Sequence, residues 1–81
     1  MLWWQPPGYQ GDRHLAMLGR VAVGAVFPPT SGRYWRWRAW ISVCRNPVDG
    51  VAPSEAAAKG LVETHLREFL TEAQLIAAVT P

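Results

Sequence analysis

Arg33-Tyr-Trp-Arg-Trp-Arg-Ala-Trp-Ile-Ser-Val43 is the stretch that decides the fold, because it has strong β-propensity and contains no Gly or Pro. Side chains of a strand alternate between two faces, so this stretch separates into two sets. One set is almost wholly apolar and is predicted to lie in the core: Trp35, Trp37, Ala39, Ile41 and Val43. The other combines two guanidinium groups with two aromatic rings and is predicted to face outward: Tyr34, Arg36, Arg38, Trp40 and Ser42.

The chain before this strand predicts a β-hairpin. Two short apolar runs, His14–Leu18 and Val21–Phe27, are separated by Gly19 and Arg20. A Gly at the first position of a two-residue loop supplies the positive φ of a type II′ turn. Alternation along the second run predicts buried Val21, Val23, Ala25 and Phe27 and outward Arg20, Ala22, Gly24 and Val26.

The first thirteen residues show neither a helical nor a strand period. Pro6, Pro7 and Gly8 interrupt a segment that also holds three large aromatic residues, Trp3, Trp4 and Tyr9. We therefore predict that residues 1–13 form an irregular aromatic arm, which packs over an edge or face of a single domain at residues 14–81.

The chain after the strand predicts a turn and then helices. Asn46–Gly50 has turn chemistry, and Ser54 is a helix N-cap with Glu55 in the first turn. At 100° per residue, one side of this helix carries Ala58, Leu61, Val62, His65, Leu66 and Phe69, and the opposite side carries Lys59, Glu63, Thr64, Arg67 and Glu68. Thr71 and Gln74 form a capping box that predicts a second short helix over Glu72–Val79.

These elements predict an α+β fold in two layers. An antiparallel sheet of three strands, or four if Val51-Ala52 adds a short one, packs on one long C-terminal helix that is followed by a short final helix. A chain of 81 residues has no room for a second core, and the single Cys44 excludes an intrachain disulfide framework.

Catalysis, metal binding and membrane insertion find little support in the sequence. His65 lies on the apolar side of the helix, where a core histidine is expected, and His14, His65 and Cys44 have no metal-ligand spacing. No glycine motif could cradle a phosphate, and the apolar run 15–27 is too short to span a bilayer. We predict a non-enzymatic, cytoplasmic protein without a cofactor, a metal or a membrane partner.

The outward set of the long strand is the candidate binding surface. Arg36 and Arg38 suit phosphates or guanine edges, and Tyr34 or Trp40 offers a platform on which bases stack. Residues 1–45 carry a net charge of +5 and residues 46–81 carry −3, which would turn the sheet toward a polyanion. The predicted nucleic-acid or partner-binding residues are Arg20, Tyr34, Arg36, Arg38 and Trp40.

Two other interpretations of the same residues stay open. Trp, Tyr and Arg are enriched at protein interfaces, so this face could instead serve protein binding or homodimerisation. Alternatively, the guanidinium groups lie over aromatic rings as cation–π pairs that only make an open sheet face soluble.

Two segments together resemble a known group of domains: Gly32-Arg-Tyr-Trp-Arg-Trp-Arg-Ala-Trp-Ile and Pro53-Ser-Glu-Ala-Ala-Ala-Lys. They resemble the AP2 and phage-integrase arm-binding domains over roughly residues 19–69. The resemblance implies a three-stranded sheet that presents Arg and Trp to DNA and is supported by a helix. Shorter elements, such as Trp-x-Trp and Gly-Val-Ala-x-Ser, are similar to small uncharacterised phage and prophage proteins of high-GC bacteria, which implies no function.

Overall fold

A computed structural model describes residues 2–9, 11–30, 32–41 and 47–73 of the chain. Five strands precede one helix: β1 (Leu2–Gln5), β2 (His14–Leu18), β3 (Val21–Phe27), β4 (Trp35–Ala39), β5 (Val48–Ala52) and α1 (Glu55–Glu72). The strands form one sheet in sequence order, and every neighbouring pair is antiparallel. Because α1 packs across β3, β4 and β5, the predicted two-layer α+β class is confirmed.

The prediction of three or four strands was too low, because the sheet has five. Leu2–Gln5 is not irregular but pairs with β2 as the edge strand β1. The side chain of Trp4 holds this edge in place, since its Nε1–H donates to Glu63 Oε2 of the helix at 2.7 Å. At the other edge, Val48, Asp49 and Gly50 were predicted as a turn but pair with β4 as part of β5.

We call the sheet surface under α1 the covered face. It is lined by small residues, which let the helix approach closely. Gly24 is the tightest point, because a Cβ there would lie 2.8 Å from Val62 Cγ1 and 2.8 Å from the carbonyl oxygen of Arg38. The buried core at this interface consists of Ala16, Val23, Val26, Trp37, Ala39, Ala52, Ala58, Val62 and Leu66.

The predicted faces of β3 were wrong in part. Val23 and Ala25 are buried and Ala22 is exposed, as predicted, but four other residues differ. Gly24 and Val26, predicted outward, pair with Ala39 and Trp37 on the covered face. Phe27, predicted in the core, pairs with Arg36 on the opposite face, and Val21 is exposed. The physical reason is an irregularity in the pairing with β2 that leaves Val23 as an extra residue, which shifts the alternation by one position.

The described members of the core set predicted for the long strand pack in or against the core under the helix, as expected: Trp35, Trp37, Ala39 and Ile41. Trp37 is 7% exposed and Ala39 is buried, while Trp35 packs partly buried against the same cluster. The indole of Trp37 stacks on His65 with the ring centroids 5.2 Å apart, so His65 is a half-buried packing residue. Nε1 of Trp37 is buried without a hydrogen-bond partner among the described residues, and a Cβ on Gly50 would lie 3.0 Å from it.

Helix α1 begins as predicted, since the Ser54 hydroxyl accepts a hydrogen bond from the amide of Ala57 at 3.1 Å. Its buried stripe is Ala58, Val62 and Leu66, whereas Leu61, assigned to that side, is exposed. The helix continues through Thr71 to Glu72, so Thr71 does not cap a new helix. The rest of the predicted second helix, together with Ser42, Val43, Cys44 and residue 46, lies outside the described residues.

The opposite surface of the sheet, which we call the open face, is not packed against α1. Strands β1 and β2 present Trp3, Gln5, Leu15 and Met17 there, and strands β3 to β5 present Ala25, Phe27, Arg36, Arg38, Asp49 and Val51.

Candidate functional site

Two arginines stand next to each other on the open face. Arg36 and Arg38 are both exposed and lie two residues apart on β4, so their Cα atoms are about 7 Å apart along one face. Strand β4 lies between β3 and β5, which places both guanidinium groups within the sheet surface and not at its rim. Any elongated anionic partner that crosses the open face along β4 would meet both charges.

Arg36 is positioned by an aromatic ring. Its guanidinium carbon lies 5.2 Å from the centroid of Phe27, its partner on β3. A cation over a ring face is attracted by the ring quadrupole, while the N–H groups at the edge of the guanidinium plane can still donate hydrogen bonds. The contact therefore orients Arg36 and leaves its charge available.

Arg38 has a carboxylate as its neighbour but does not form an ion pair with it. Its partner on β5 is Asp49, and both side chains are exposed. Among the described residues, the ion pairs within 4.0 Å lie elsewhere, where Glu55 meets His14 and Lys59. Positive and negative groups thus stand next to each other on adjacent strands, each with hydrogen-bonding capacity for a third group.

Two shallow pockets lie beside these charges. The larger has a volume of about 290 Å³ and is lined by Phe27, Arg36, Trp37, Arg38, Asp49, Gly50 and Val51. The smaller, of about 190 Å³, is lined by Pro28, Pro29, Thr30, Tyr34, Arg36 and Val51. Because Arg36 and Val51 belong to both, the two pockets are neighbours with these side chains between them.

The five predicted site residues are not all together. Tyr34, Arg36 and Arg38 surround the two pockets, and Tyr34 is 61% exposed. Trp40 is exposed but follows the end of β4 and lines neither pocket. Arg20 lies in the turn between β2 and β3, roughly 20 Å from Phe27 along β3, so it belongs to the opposite end of the sheet.

Three residues that line the larger pocket were missed from the sequence. Phe27 was assigned to the core, and Asp49 and Val51 were not recognised as outward residues of a strand. The alternation within Val48-Asp-Gly-Val-Ala52 was the available signal, but the Asn-Pro and Asp-Gly pairs favoured a turn.

A second polar cluster ties the covered side of the sheet to the helix. Lys59 lies over the Trp4 ring, with Nζ 5.2 Å from the ring centroid, and its Nζ also donates to Glu55 Oε2 at 2.8 Å. This hydrogen bond lowers the pKa of Glu55, helped by the charges of Lys59 and His14 and opposed by partial burial. The cluster joins β1, β2 and α1, and we interpret it as structural.

Another concavity, of about 510 Å³, lies along the end of α1 between Thr64 and Glu72. Its lining among the described residues comes from this single helix. The open face is therefore the better candidate site.

Comparison of the chain with protein-family models, with curated protein sequences and with solved structures finds no match. Within the described residues, the only helix is not apolar enough over a sufficient length to cross a bilayer.

Proposed function

We propose that this protein binds nucleic acid through the open face of its sheet. The observation that carries the proposal is the pair of exposed arginines on β4, Arg36 and Arg38, which have no ion-pair partner within the described residues and are flanked by pockets with aromatic walls. Guanidinium groups donate hydrogen bonds to phosphates, and aromatic rings give bases a surface on which to stack.

The charge distribution supports the same partner. Among the described residues, the acidic groups of the helix, Glu55, Glu63, Glu68 and Glu72, belong to the layer behind the covered face, whereas Arg36 and Arg38 point away from it. A polyanion that approaches the open face meets the basic layer first, and this asymmetry favours encounter in one orientation.

The expected affinity is modest. Each phosphate neutralised contributes about −0.7 to the slope of log K against log salt concentration for a single strand, and each stacked base contributes about 1–3 kcal/mol. With two arginines and one or two aromatic platforms, we expect a Kd in the range of about 10⁻⁴–10⁻⁶ M, the range typical of non-specific binding at physiological salt.

Homodimerisation through the open face is the second candidate. Leu15 and Met17 on β2 are half-buried apolar residues of this face, and Trp3 beside them is 45% exposed. In a face-to-face dimer they would be removed from water, but Arg36 and Arg38 would then lie close to their own copies unless each met Asp49 of the other chain. Without that pairing, repulsion between the arginines would weaken the dimer, whereas a nucleic acid neutralises both charges.

The test is a salt titration of binding to fluorescently labelled single- and double-stranded oligonucleotides, followed by anisotropy, with the mass in solution measured in parallel. We expect binding that weakens as salt rises, and its loss in the double variant Arg36→Ala with Arg38→Ala. Arg67→Ala is the control, because Arg67 is an exposed cation on the helix. It should change affinity little.

Several results would overturn the proposal. One is the absence of binding to any oligonucleotide at low salt. Another is an equal loss of affinity in the Arg67→Ala control. A dimer that dissociates when Met17 is replaced by Glu, without any nucleic-acid binding by the wild-type protein, would instead establish the second candidate.

A further inference from the structure

We propose that the larger pocket on the open face receives an unpaired guanine, and that the partner is therefore a single strand. This inference rests on the proposed function and names its substrate class. Its basis is the adjacent pair Arg38 and Asp49, which stand at one wall of the pocket.

The width of the sheet favours a single strand. Five strands with a spacing of about 4.8 Å make the open face roughly 19 Å across, whereas the major groove of a DNA duplex is about 12 Å wide and the minor groove about 6 Å. The face as a whole cannot enter either groove. A single strand can lie across it with its bases turned toward the surface, which is how unpaired bases become accessible to aromatic side chains.

The carboxylate of Asp49 narrows the choice of base. An ionised carboxylate only accepts hydrogen bonds and repels phosphate, so its presence beside the exposed Arg38 does not serve backbone binding. Among the unpaired bases, guanine alone offers two neighbouring N–H donors on its Watson–Crick edge, N1–H and the 2-amino group. The two oxygens of Asp49 match these two donors.

Arg38 completes the match. Next to N1–H, the guanine edge continues with O6, a hydrogen-bond acceptor. Arg38 and Asp49 are direct partners on adjacent antiparallel strands, with Cα atoms about 4.5–5.5 Å apart. The guanidinium of Arg38 can therefore donate to O6 while the carboxylate of Asp49 accepts from N1–H and the 2-amino group. Adenine and cytosine each present only a single amino donor on this edge.

The other wall of the pocket supplies the apolar contacts. Phe27, held under Arg36, and Val51, which is 61% exposed, line the same pocket. The Arg36 guanidinium plane or the Phe27 ring offers the base a flat neighbour.

The test uses the full chain and three twelve-nucleotide oligothymidylates that differ at one central position. That position carries guanine, hypoxanthine or adenine, and hypoxanthine lacks only the 2-amino group of guanine. We expect the guanine strand to bind at least about fivefold more tightly than the other two, the lower limit of what a bidentate base contact provides.

Two variants localise the effect. Asp49→Asn replaces one acceptor oxygen with a donor, so the preference for guanine should disappear. The affinity for the thymidylate part of the strand, which all three oligonucleotides share, should remain. Glu68→Gln makes the same change of charge at an exposed position on the helix and should keep the preference. Circular dichroism of each variant verifies that the fold is retained.

The outcomes separate the two proposals. Equal binding of all three strands overturns the guanine pocket and leaves nucleic-acid binding standing. A preference that survives in Asp49→Asn, or is lost in Glu68→Gln, overturns the assignment to Asp49. The guanine strand annealed to its complement is titrated in parallel, and tighter binding of this duplex than of the single guanine strand overturns the single-strand inference. No binding of any strand overturns both proposals.

Discussion

The covered and open faces of the sheet carry different kinds of side chain. Where the helix lies on the sheet, Ala16, Gly24, Ala39 and Ala52 keep the surface flat, and the buried Trp37 fills the space between them, with Trp4 and Trp35 packed partly buried around this cluster. On the open face, long or ringed side chains stand on a similar backbone, among them Trp3, Tyr34 and Arg36. The open face therefore carries large exposed side chains that no described element covers, which a stability requirement alone does not explain.

The tryptophans provide the strongest test of this contrast. Trp37→Ala should lower the free energy of unfolding by about 3–5 kcal/mol, because it leaves a cavity between the sheet and α1. Trp40→Ala should cost less than about 1 kcal/mol, since Trp40 is 38% exposed. Urea denaturation followed by circular dichroism measures both values. Similar losses in the two variants would mean that the open side of β4 is also packed.

A pair of glycines tests how tightly the covered face is closed. Gly24→Ala should destabilise the protein by about 1–3 kcal/mol, because the new methyl group overlaps Val62 and the β4 backbone. Gly60→Ala is the matched control. Gly60 lies inside α1 with open space around it, so the same substitution should stabilise by about 0.5–1 kcal/mol. If both changes were neutral in urea denaturation, the close helix packing at Gly24 would be refuted.

Two consecutive residues of β1 test the two faces at the sheet edge. Trp4→Phe removes the hydrogen bond to Glu63 on the covered side and should cost about 1.5 kcal/mol, the lower value for a bond to a charged group. Trp3→Phe removes the exposed hydrogen bond from Nε1 to the Gly19 carbonyl and should cost about 0.5 kcal/mol. Thermal unfolding of the two variants side by side is the measurement. A larger loss in Trp3→Phe would contradict the face assignment of β1.

The smallest effect concerns the pH dependence of the covered side. The hydrogen bond from Lys59 lowers the pKa of Glu55 below its ordinary value of 4.5, so folding is favoured by the ionised form. This contribution is present above pH 4.5 and is lost as the pH falls through the lowered pKa. Glu55→Gln should therefore flatten the decline of the unfolding free energy in this acidic range, measured by urea titrations at several pH values. Glu68→Gln, a change at an exposed position of the same helix, should leave the contribution of Glu55 in place.

The sequence predicted those parts of the fold whose signals are local. Ser54 before Glu55 predicted the start of α1, and the apolar parity of Trp35, Trp37 and Ala39 predicted which side of β4 meets the helix. The outward positions of Arg36 and Arg38 follow from the same parity. In each case the residue types differ clearly in polarity or capping preference, so the local pattern predicts which side is buried or where the helix begins.

The remaining features depend on contacts between distant residues. Strand β1 has prolines directly after it, and its place in the sheet comes from pairing with β2 together with the hydrogen bond from Trp4 to Glu63, 59 residues away. Nearly every residue of β3 is apolar, so alternation could not tell its faces apart, and the extra residue Val23 exchanged the faces of the residues that follow it. This exchange moved Phe27 to the open face and so concealed one wall of the candidate site.

The order of the strands also affects how the chain acquires its structure during synthesis. Because β1 to β5 pair in sequence order, each new strand meets its partner in the strand made just before it, and only short loops have to close. The apolar covered face, in contrast, is buried only after α1 has been synthesised. Translation of these 18 residues at 5–20 residues per second takes about 1–4 s. During that interval the nascent sheet exposes the surface that will become the core, and aggregation competes with the arrival of the helix.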